Sequence, residues 1–387
     1  MPDGLLESVR KIGEEVVRPA ADDVDREARF PAEAFAALKS AQALSAYVPR
    51  ELGGAGLAIG EVARLCETLG HYDGSVAMIY AMHSIQVACI VHHARDTAYF
   101  RRYLAEVAER QLLMASATTE VGTGGDLRSS VCAIELAGGR FTLAKKAPVI
   151  SYGREADDLL ITCRRDAASP AADQVLVLAR RAECGLEEIS GWDTLGFRGT
   201  CSSGFAVSAR GSAEQVLPAP FADILSRTMH PVSHILWSSL WLGIATDAVQ
   251  RAHAFVRAQA RRTPGVPPPS ALRLAEVDTV LQTMRSNIAA ALHRYERVLA
   301  GEAAQESGFR FAIDINNLKL ASSTLVVDIV GRALLVCGIE GYRNGSKHSL
   351  CRHLRDAYGA ALMVNNDRIA GHNATMLLAQ REGAKDG

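Results

Sequence analysis

The sequence predicts an α+β protein with an N-terminal helical domain, a small antiparallel β domain and a C-terminal four-helix bundle. Up to about residue 113 apolar residues recur at helical spacing; from about 114 to 218 the period falls to two; from about 222 long helical stripes return. Short strands follow one another without intervening helices, which points to an antiparallel barrel or sandwich rather than a doubly wound sheet. The expected domains are therefore 1–113, 114–221 and 222–387.

In the first domain, amphipathic stretches run from Gly60 to Leu69 and from Ala98 to Arg110, punctuated by the turn-like Pro49-Arg50-Glu51-Leu52-Gly53-Gly54-Ala55-Gly56. In the second, Ala133–Leu136 and Arg140–Leu143 flank Ala137-Gly138-Gly139, a hairpin signal. Leu159–Thr162, Val175–Leu178 and Gly204–Val207 read as further short strands. In the third, Leu281, Met284, Ile288, Leu292, Tyr295 and Leu299 form one stripe, and Ile315, Leu318, Ser322, Leu325 and Ile329 another. Paired stripes of this kind suit a bundle, and Pro264–Pro269 marks a helix boundary or loop.

Composition narrows the function. The formal net charge of −1 over 387 residues gives no electrostatic footprint for nucleic acid or an anionic membrane. Eight scattered cysteines form no CxxC pair, so a disulfide framework or zinc site is not expected and a reducing cytosol fits. His71, His83 and the His92-His93 pair form no metal motif with acidic neighbours, and no metal is assigned. The N-terminus lacks signal-peptide character. No uncharged apolar run is expected to reach the ~18 residues of a membrane span; the best candidate, around Leu325 to Val336, is broken by Asp328 and Arg332. A soluble, cytoplasmic protein is expected.

The glycine-rich run Thr118 to Asp126 carries the clearest chemistry. Glycines let backbone N–H groups approach a planar or phosphate-bearing ligand, and threonine hydroxyls bond heterocycle edges. Taken alone, it also reads as a surface loop. Its wider setting resembles the acyl-CoA dehydrogenase family. Val48–Leu57 resembles that family's vPeeyGGxG turn, and Asp73–Ala77 the segment after it. Thr119–Asp126 matches TEpgaGSD at five of eight positions, Leu195–Thr200 matches lGxRgt, and Arg355-Asp356-Ala357 matches a late RDA.

The resemblance implies bound FAD, with FMN as a possible substitute. It places Ser116, Thr118, Thr119 and Gly124 at the flavin, the two threonines along its pyrimidine edge. Val149, Ile150 and Ser151 would follow, with the Ser151 hydroxyl near flavin N5 and Val149 where the family carries tryptophan. Arg261, in a run similar to RkxFG, would reach the pyrophosphate of a neighbouring subunit, and Thr263 of the same run would also lie at the cofactor; the aromatic of that motif is Pro264 here. Leu335 and Gly338 lie in a run similar to QxxGGxGY, with leucine for the glutamine and Ile339 for the second glycine. Asn366 and Arg368 fall on FAD-contacting positions. Gly125 replaces a serine that touches the thioester arm, and Ser233 and His234 lie on the substrate side.

The resemblance also implies a carboxylate base, and none is found. Counting from Arg355-Asp356, the usual glutamate position is Val364; the alternative position on the helix opening the bundle is Ser233. The remaining candidate bases are His234, whose ordinary pKa near ~6.5 suits the task, and Asp367; the first also reads as a core or interface histidine, and the second reads more readily as a surface or cap carboxylate. The resulting expectation is α,β-dehydrogenation of an acyl thioester, borne by CoA or a carrier protein, with hydride transfer to FAD and the electron acceptor unassigned. The alternatives are a reduced-flavin-dependent monooxygenase, which needs no glutamate, and a catalytically silent flavin-fold subunit. A homotetramer or homodimer is expected, because the implied flavin site draws on two subunits.

Overall fold

The computed structural model describes residues 2–124, 126–262, 264–302 and 308–379. The chain divides into two compact units, one of Met1–Val62, Met78–Thr194 and Arg198–Ser233, the other of Ala63–Ala77, Leu195–Phe197 and His234–Gly387.

Helices α1 (Pro2–Ile12), α2 (Arg18–Glu27), α3 (Ala32–Ser40), α4 (Ile59–Tyr72), α5 (Gly74–His93) and α6 (Ala98–Arg110) open the chain. The last has the bounds its pattern predicts, and Thr97 caps it by accepting the Phe100 N–H. Helix α5 corrects the expectation about apolar runs. Its 20 residues contain no Asp, Glu, Lys or Arg, and by length and composition it could cross a membrane. It is almost wholly buried within the protein (94%), so it is a core helix. A second helix of that length and hydropathy, Phe309–Cys337, is 44% buried.

Seven strands follow: β1 (Met114–Ala117), β2 (Glu135–Ala137), β3 (Arg140–Ala147), β4 (Asp158–Arg164), β5 (Gln174–Arg180), β6 (Cys184–Ser190) and β7 (Gly204–Ser212). They form an antiparallel sheet in the order β2-β3-β7-β6 and a second sheet in the order β1-β4-β5. The two-residue turn between β2 and β3 has Gly138 at φ 57° and Gly139 at φ 74°, the left-handed pair that matches the twist of a tight hairpin. Strand β3 alternates exposed and buried residues, while β4 and β5 are buried almost throughout. The β1–β4 pair is parallel, which departs from the wholly antiparallel expectation. A period of two reports a strand but not its direction.

The C-terminal part holds α7 (Phe221–Ile224), α8 (His230–Ala260), α9 (Ser270–Leu299), α10 (Phe309–Cys337), α11 (Ile339–Tyr342), α12 (Cys351–Gly359) and α13 (Asn366–Ala379). Helices α9 and α10 bury most of the predicted stripes, including Leu281, Met284, Ile288, Ile315, Leu318 and Ile329, while Leu299 at the end of α9 is exposed. In this second unit α4 crosses α8 at backbone contact: a Cβ on Gly243 would lie 2.1 Å from the Glu67 carbonyl oxygen, and one on Gly70 would lie 2.3 Å from that of Leu240. Two sequence motifs also meet here. The Asp356 carboxylate accepts the Phe197 N–H at 2.7 Å, and a Cβ on Gly196 would strike the Arg355 carbonyl at 2.3 Å.

Candidate active site

The predicted site residues fall into two constellations, one in each unit. In the first unit, β1 delivers buried Ser116 and then half-buried Thr118 and Thr119. The Thr119 hydroxyl donates to the Val149 carbonyl at 3.1 Å, so the ends of two predicted motifs lie side by side. The loop that follows is anchored from beneath. The Glu120 carboxylate accepts the Ser130 hydroxyl at 2.6 Å and the N–H groups of Val131 and Cys132 at 3.1 and 2.6 Å. Lys145, a fully buried cation on β3, lies 3.9 Å from Glu120 and donates to the carbonyl and hydroxyl of Thr162 at 2.7 and 2.9 Å. Burial lowers the Lys145 pKa, and Glu120 opposes that shift. Glu120 is thus a structural anchor. Exposed Gly124, at φ 58°, has open space around its α-carbon. Gly125, predicted on the substrate side, lies outside the described residues.

Val149 is 37% exposed, whereas Ile150 beside it is fully buried. Ser151 is 8% exposed and accepts a hydrogen bond from the Ser202 hydroxyl at 2.8 Å. Ser202 in turn lies 2.7 Å from the Thr200 hydroxyl, and both are buried. Backbone bonds lock the segments together: Ile150 N–H to Ser203 O at 2.8 Å, and Tyr152 N–H to Thr200 O at 2.7 Å. Tyr152 and Cys201 hold left-handed backbone at φ 44° and 45°, a costly conformation for residues with side chains. Thr200 and Ser202 are functional candidates that sequence reasoning missed; the signal was the hydroxyl-rich Thr-Cys-Ser-Ser that begins on the last residue of the Leu195–Thr200 motif.

Helix α8 carries Ser233, the last residue of the first unit, and His234, where the second unit resumes, near its start. Ser233 donates its hydroxyl to the Met229 carbonyl. His234 is 1% exposed, with Nδ1 3.1 Å from the Ile315 carbonyl and its ring tilted against Trp237. Such burial is the geometry of a packing histidine and argues against its candidacy as base. Val364 lies in the turn between α12 and α13, 36% exposed and at φ 44°, a strained setting for a β-branched residue. The turn is held by Lys319 of α10, 0% exposed, whose Nζ donates to the Val364 carbonyl at 3.1 Å and to Asn366 Oδ1 at 2.6 Å. Burial pushes the Lys319 pKa down to about 8. The Asn366 amide donates to the Ser323 hydroxyl at 3.1 Å, so Asn366 braces this turn. Lys319 was also missed; its signal was a charge set within an apolar helical stripe.

Asp367 is exposed, and its N–H donates to Asn365 Oδ1 at 2.8 Å, which places it on the surface of α13 and argues against a basic role. Arg368 is half-buried on the same helix. Arg261 is exposed just beyond α8, Leu335 is exposed on α10, and Gly338 ends α10 at φ 58°. Thr263 lies outside the described residues.

Models of the N-terminal and C-terminal domains of acyl-CoA dehydrogenases match residues 3–111 and 232–363. The amino sugar nitrososynthase DnmZ of Streptomyces peucetius is 26% identical over 349 residues, covering 88% of this chain and 84% of that protein. Among solved structures, FMN-bound TdsC from Paenibacillus sp. A11-2 superposes with a TM-score of 0.86 at 18% identity, over 97% of this chain and 98% of that one. Butyryl-CoA dehydrogenase from Megasphaera elsdenii gives 0.79 at 19% identity, over 97% and 98%. These structural likenesses establish the fold. The first constellation fits a flavin ring: Ser151 keeps a hydroxyl proton that no described residue accepts, beside threonine hydroxyls and an exposed apolar Val149.

Proposed function

Because this chain belongs to the acyl-CoA dehydrogenase family of flavoproteins, we propose that it is a reduced-flavin-dependent oxygenase rather than a dehydrogenase of acyl thioesters. The turn at position 364 carries this reading. Where the family's usual base is expected stands a valine, in a turn fixed by Lys319 and Asn366, and the burial of His234 and the surface position of Asp367 weigh against either replacing it. Abstraction of a weakly acidic α proton needs a positioned base, an effect of roughly 10²–10⁴ in rate. Oxygen transfer to a heteroatom does not.

The proposed substrate class is an amine, supported by the likeness to DnmZ over most of both chains. In the balanced reaction, amine, oxygen and reduced flavin give hydroxylamine, water and oxidised flavin. Bound reduced flavin supplies the two electrons and the site for oxygen activation. This chain's residues then have other duties. Thr118, Thr119 and Ser151 bind and orient the ring, and Val149 leaves one approach uncrowded where a larger aromatic would stand. Either FAD or FMN satisfies these residues, and chromatography of the released flavin distinguishes them; Arg261→Ala weakens binding only if the pyrophosphate of FAD is held there. A self-associated state is proposed as well, supported by exposed Leu335, Ile339 and Tyr342; sedimentation tests it.

The protein, supplied with flavin, is to be mixed anaerobically with a panel of acyl thioesters, and separately reduced and exposed to oxygen with amines. The expected results are no bleaching by thioesters and an amine product heavier by one oxygen. Bleaching by a thioester without added reductant would overturn the oxygenase reading in favour of dehydrogenation.

A further inference from the structure

We infer that Thr200, Ser202 and Ser151 form a polarised hydroxyl relay that fixes Ser151 as a hydrogen-bond donor toward the bound flavin and so biases binding toward the oxidised ring. The inference rests on the flavin reading above and extends it to two residues outside every recognised contact.

The direction of the chain follows from counting protons. Ser202 has one hydroxyl proton, and the geometry commits it to Ser151 Oγ at 2.8 Å. Its 2.7 Å contact with Thr200 must then use the Thr200 proton. The order is Thr200 to Ser202 to Ser151, and the proton left over is that of Ser151. No described residue accepts it. A hydroxyl that already receives a hydrogen bond is a stronger donor through its own proton, because successive bonds polarise one another. Ser151 is thus preset to donate and is impaired as an acceptor.

The surroundings argue that this arrangement is built. Three small hydroxyls in a buried setting could be replaced by alanines without loss of shape. Instead the backbone on both sides takes up left-handed strain, at Tyr152 next to Ser151 and at Cys201 between Thr200 and Ser202. The bond from Tyr152 N–H to Thr200 O and that from Ile150 N–H to Ser203 O hold the two strained segments in register. The Tyr152 side chain is fully buried, with its hydroxyl on the Met114 carbonyl at 2.9 Å. Strain retained in a region this well bonded is characteristic of functional sites.

The consequence for a flavin follows from its ring chemistry. Oxidised isoalloxazine presents N5 as an acceptor, and two-electron reduction places a proton there. A Ser151 polarised to donate suits the first state better than the second. In Ser202→Ala the Ser151 hydroxyl loses the bond that orients and polarises it, so the preference relaxes.

The test measures dissociation constants of oxidised and anaerobically reduced flavin, together with the midpoint potential, in wild type, Ser202→Ala, Ser202→Thr, Ser151→Ala and the double variant. The gain or loss of one hydrogen bond corresponds to about a fivefold change in the affinity ratio. Ser202→Ala is expected to shift that ratio about fivefold toward reduced flavin, which raises the two-electron potential by about 20 mV. Ser202→Thr keeps the wild-type ratio, and Ser202→Ala has no further effect once Ser151 is alanine. If Ser202→Ala does not fold, Ser202→Cys, a weak donor, gives the same direction of shift. An unchanged ratio in a flavin-binding Ser202→Ala protein overturns the relay, as does a shift that persists without Ser151. Wild-type protein that takes up no flavin overturns the flavin reading itself.

Discussion

Lys319 offers the sharpest test of how the turn at Val364 is held. It is buried in α10, and among the described residues its Nζ bonds only the Val364 carbonyl and Asn366 Oδ1 and pairs with no carboxylate. Burial lowers its pKa from 10.5 to about 8. A cation whose folded pKa is depressed costs stability wherever it is charged in both states, here below about pH 8. The cost fades as pH rises toward the unfolded value of 10.5. At 1.36 kcal/mol per unit, the full penalty is about 3 kcal/mol, and roughly 2.5 kcal/mol of it disappears between pH 7 and pH 10. Lys319→Met removes the titrating group but takes the donor from the part-buried Val364 carbonyl, a loss worth about 1–3 kcal/mol, while Asn366 Oδ1 keeps the Ser323 hydroxyl at 3.4 Å. At neutral pH these effects oppose one another, so the pH slope is diagnostic. Urea unfolding of both proteins from pH 7 to pH 10 is expected to show wild type gaining about 2.5 kcal/mol relative to Lys319→Met. Parallel stability curves would refute the reasoning.

Other positions give equally direct outcomes. Val364→Gly removes a β-branched residue from left-handed backbone and is expected to raise stability by roughly 1 kcal/mol; a lower Tm would contradict the strain. Gly243→Ala drives a methyl into the Glu67 carbonyl and should cost about 3 kcal/mol by forcing α4 and α8 apart, seen as a Tm drop that Gly243→Ser does not repair. Burial raises the Asp247 pKa, but the hydrogen bond from His353 and the charge of Arg251 bring it net below its ordinary value. Burial holds His353 down to about 4 despite Asp247, so His353 stays neutral while permanently charged Arg251 keeps Asp247 ionised. Stability therefore falls as pH drops from about 6.5 to about 4, where the unfolded His353 takes a proton that the folded one refuses. His353→Gln should flatten that limb in acid unfolding curves, and an unaltered slope would count against the pairing.

The sequence was most legible where a local rule decides the outcome. The capped pattern of α6, the Gly138-Gly139 hairpin and the α9 and α10 stripes all appear where periodicity placed them. Direction and depth were harder to read. The parallel β1–β4 pair is a tertiary choice that alternation does not encode. An uncharged helix such as α5 reads alike in a core and in a lipid bilayer. At the candidate site, the motifs located Thr119, Val149 and Ser151 side by side, as the Thr119–Val149 bond shows. They did not indicate Ser202, whose role depends on a partner 51 positions away, or Lys319, whose charge is explained only by the carbonyl it meets. His234 was chosen for its pKa class, but the Ile315 carbonyl and Trp237 around it are invisible in one dimension.

The meeting of Asp356 with Phe197 bears on how such proteins diversify. Asp356, Gly196 and Glu120 all sit in recognisable signatures, yet each serves the backbone: Asp356 takes the Phe197 amide, Gly196 makes way for the Arg355 carbonyl, and Glu120 gathers the amides of Val131 and Cys132. The family signature in this chain is in large part a specification of scaffold joints. A joint is indifferent to the reaction performed beside it, so position 364 can exchange a carboxylate for a methyl-bearing side chain while the joints stay in place. Lineages built on such a frame can change chemistry one residue at a time and remain recognisable throughout.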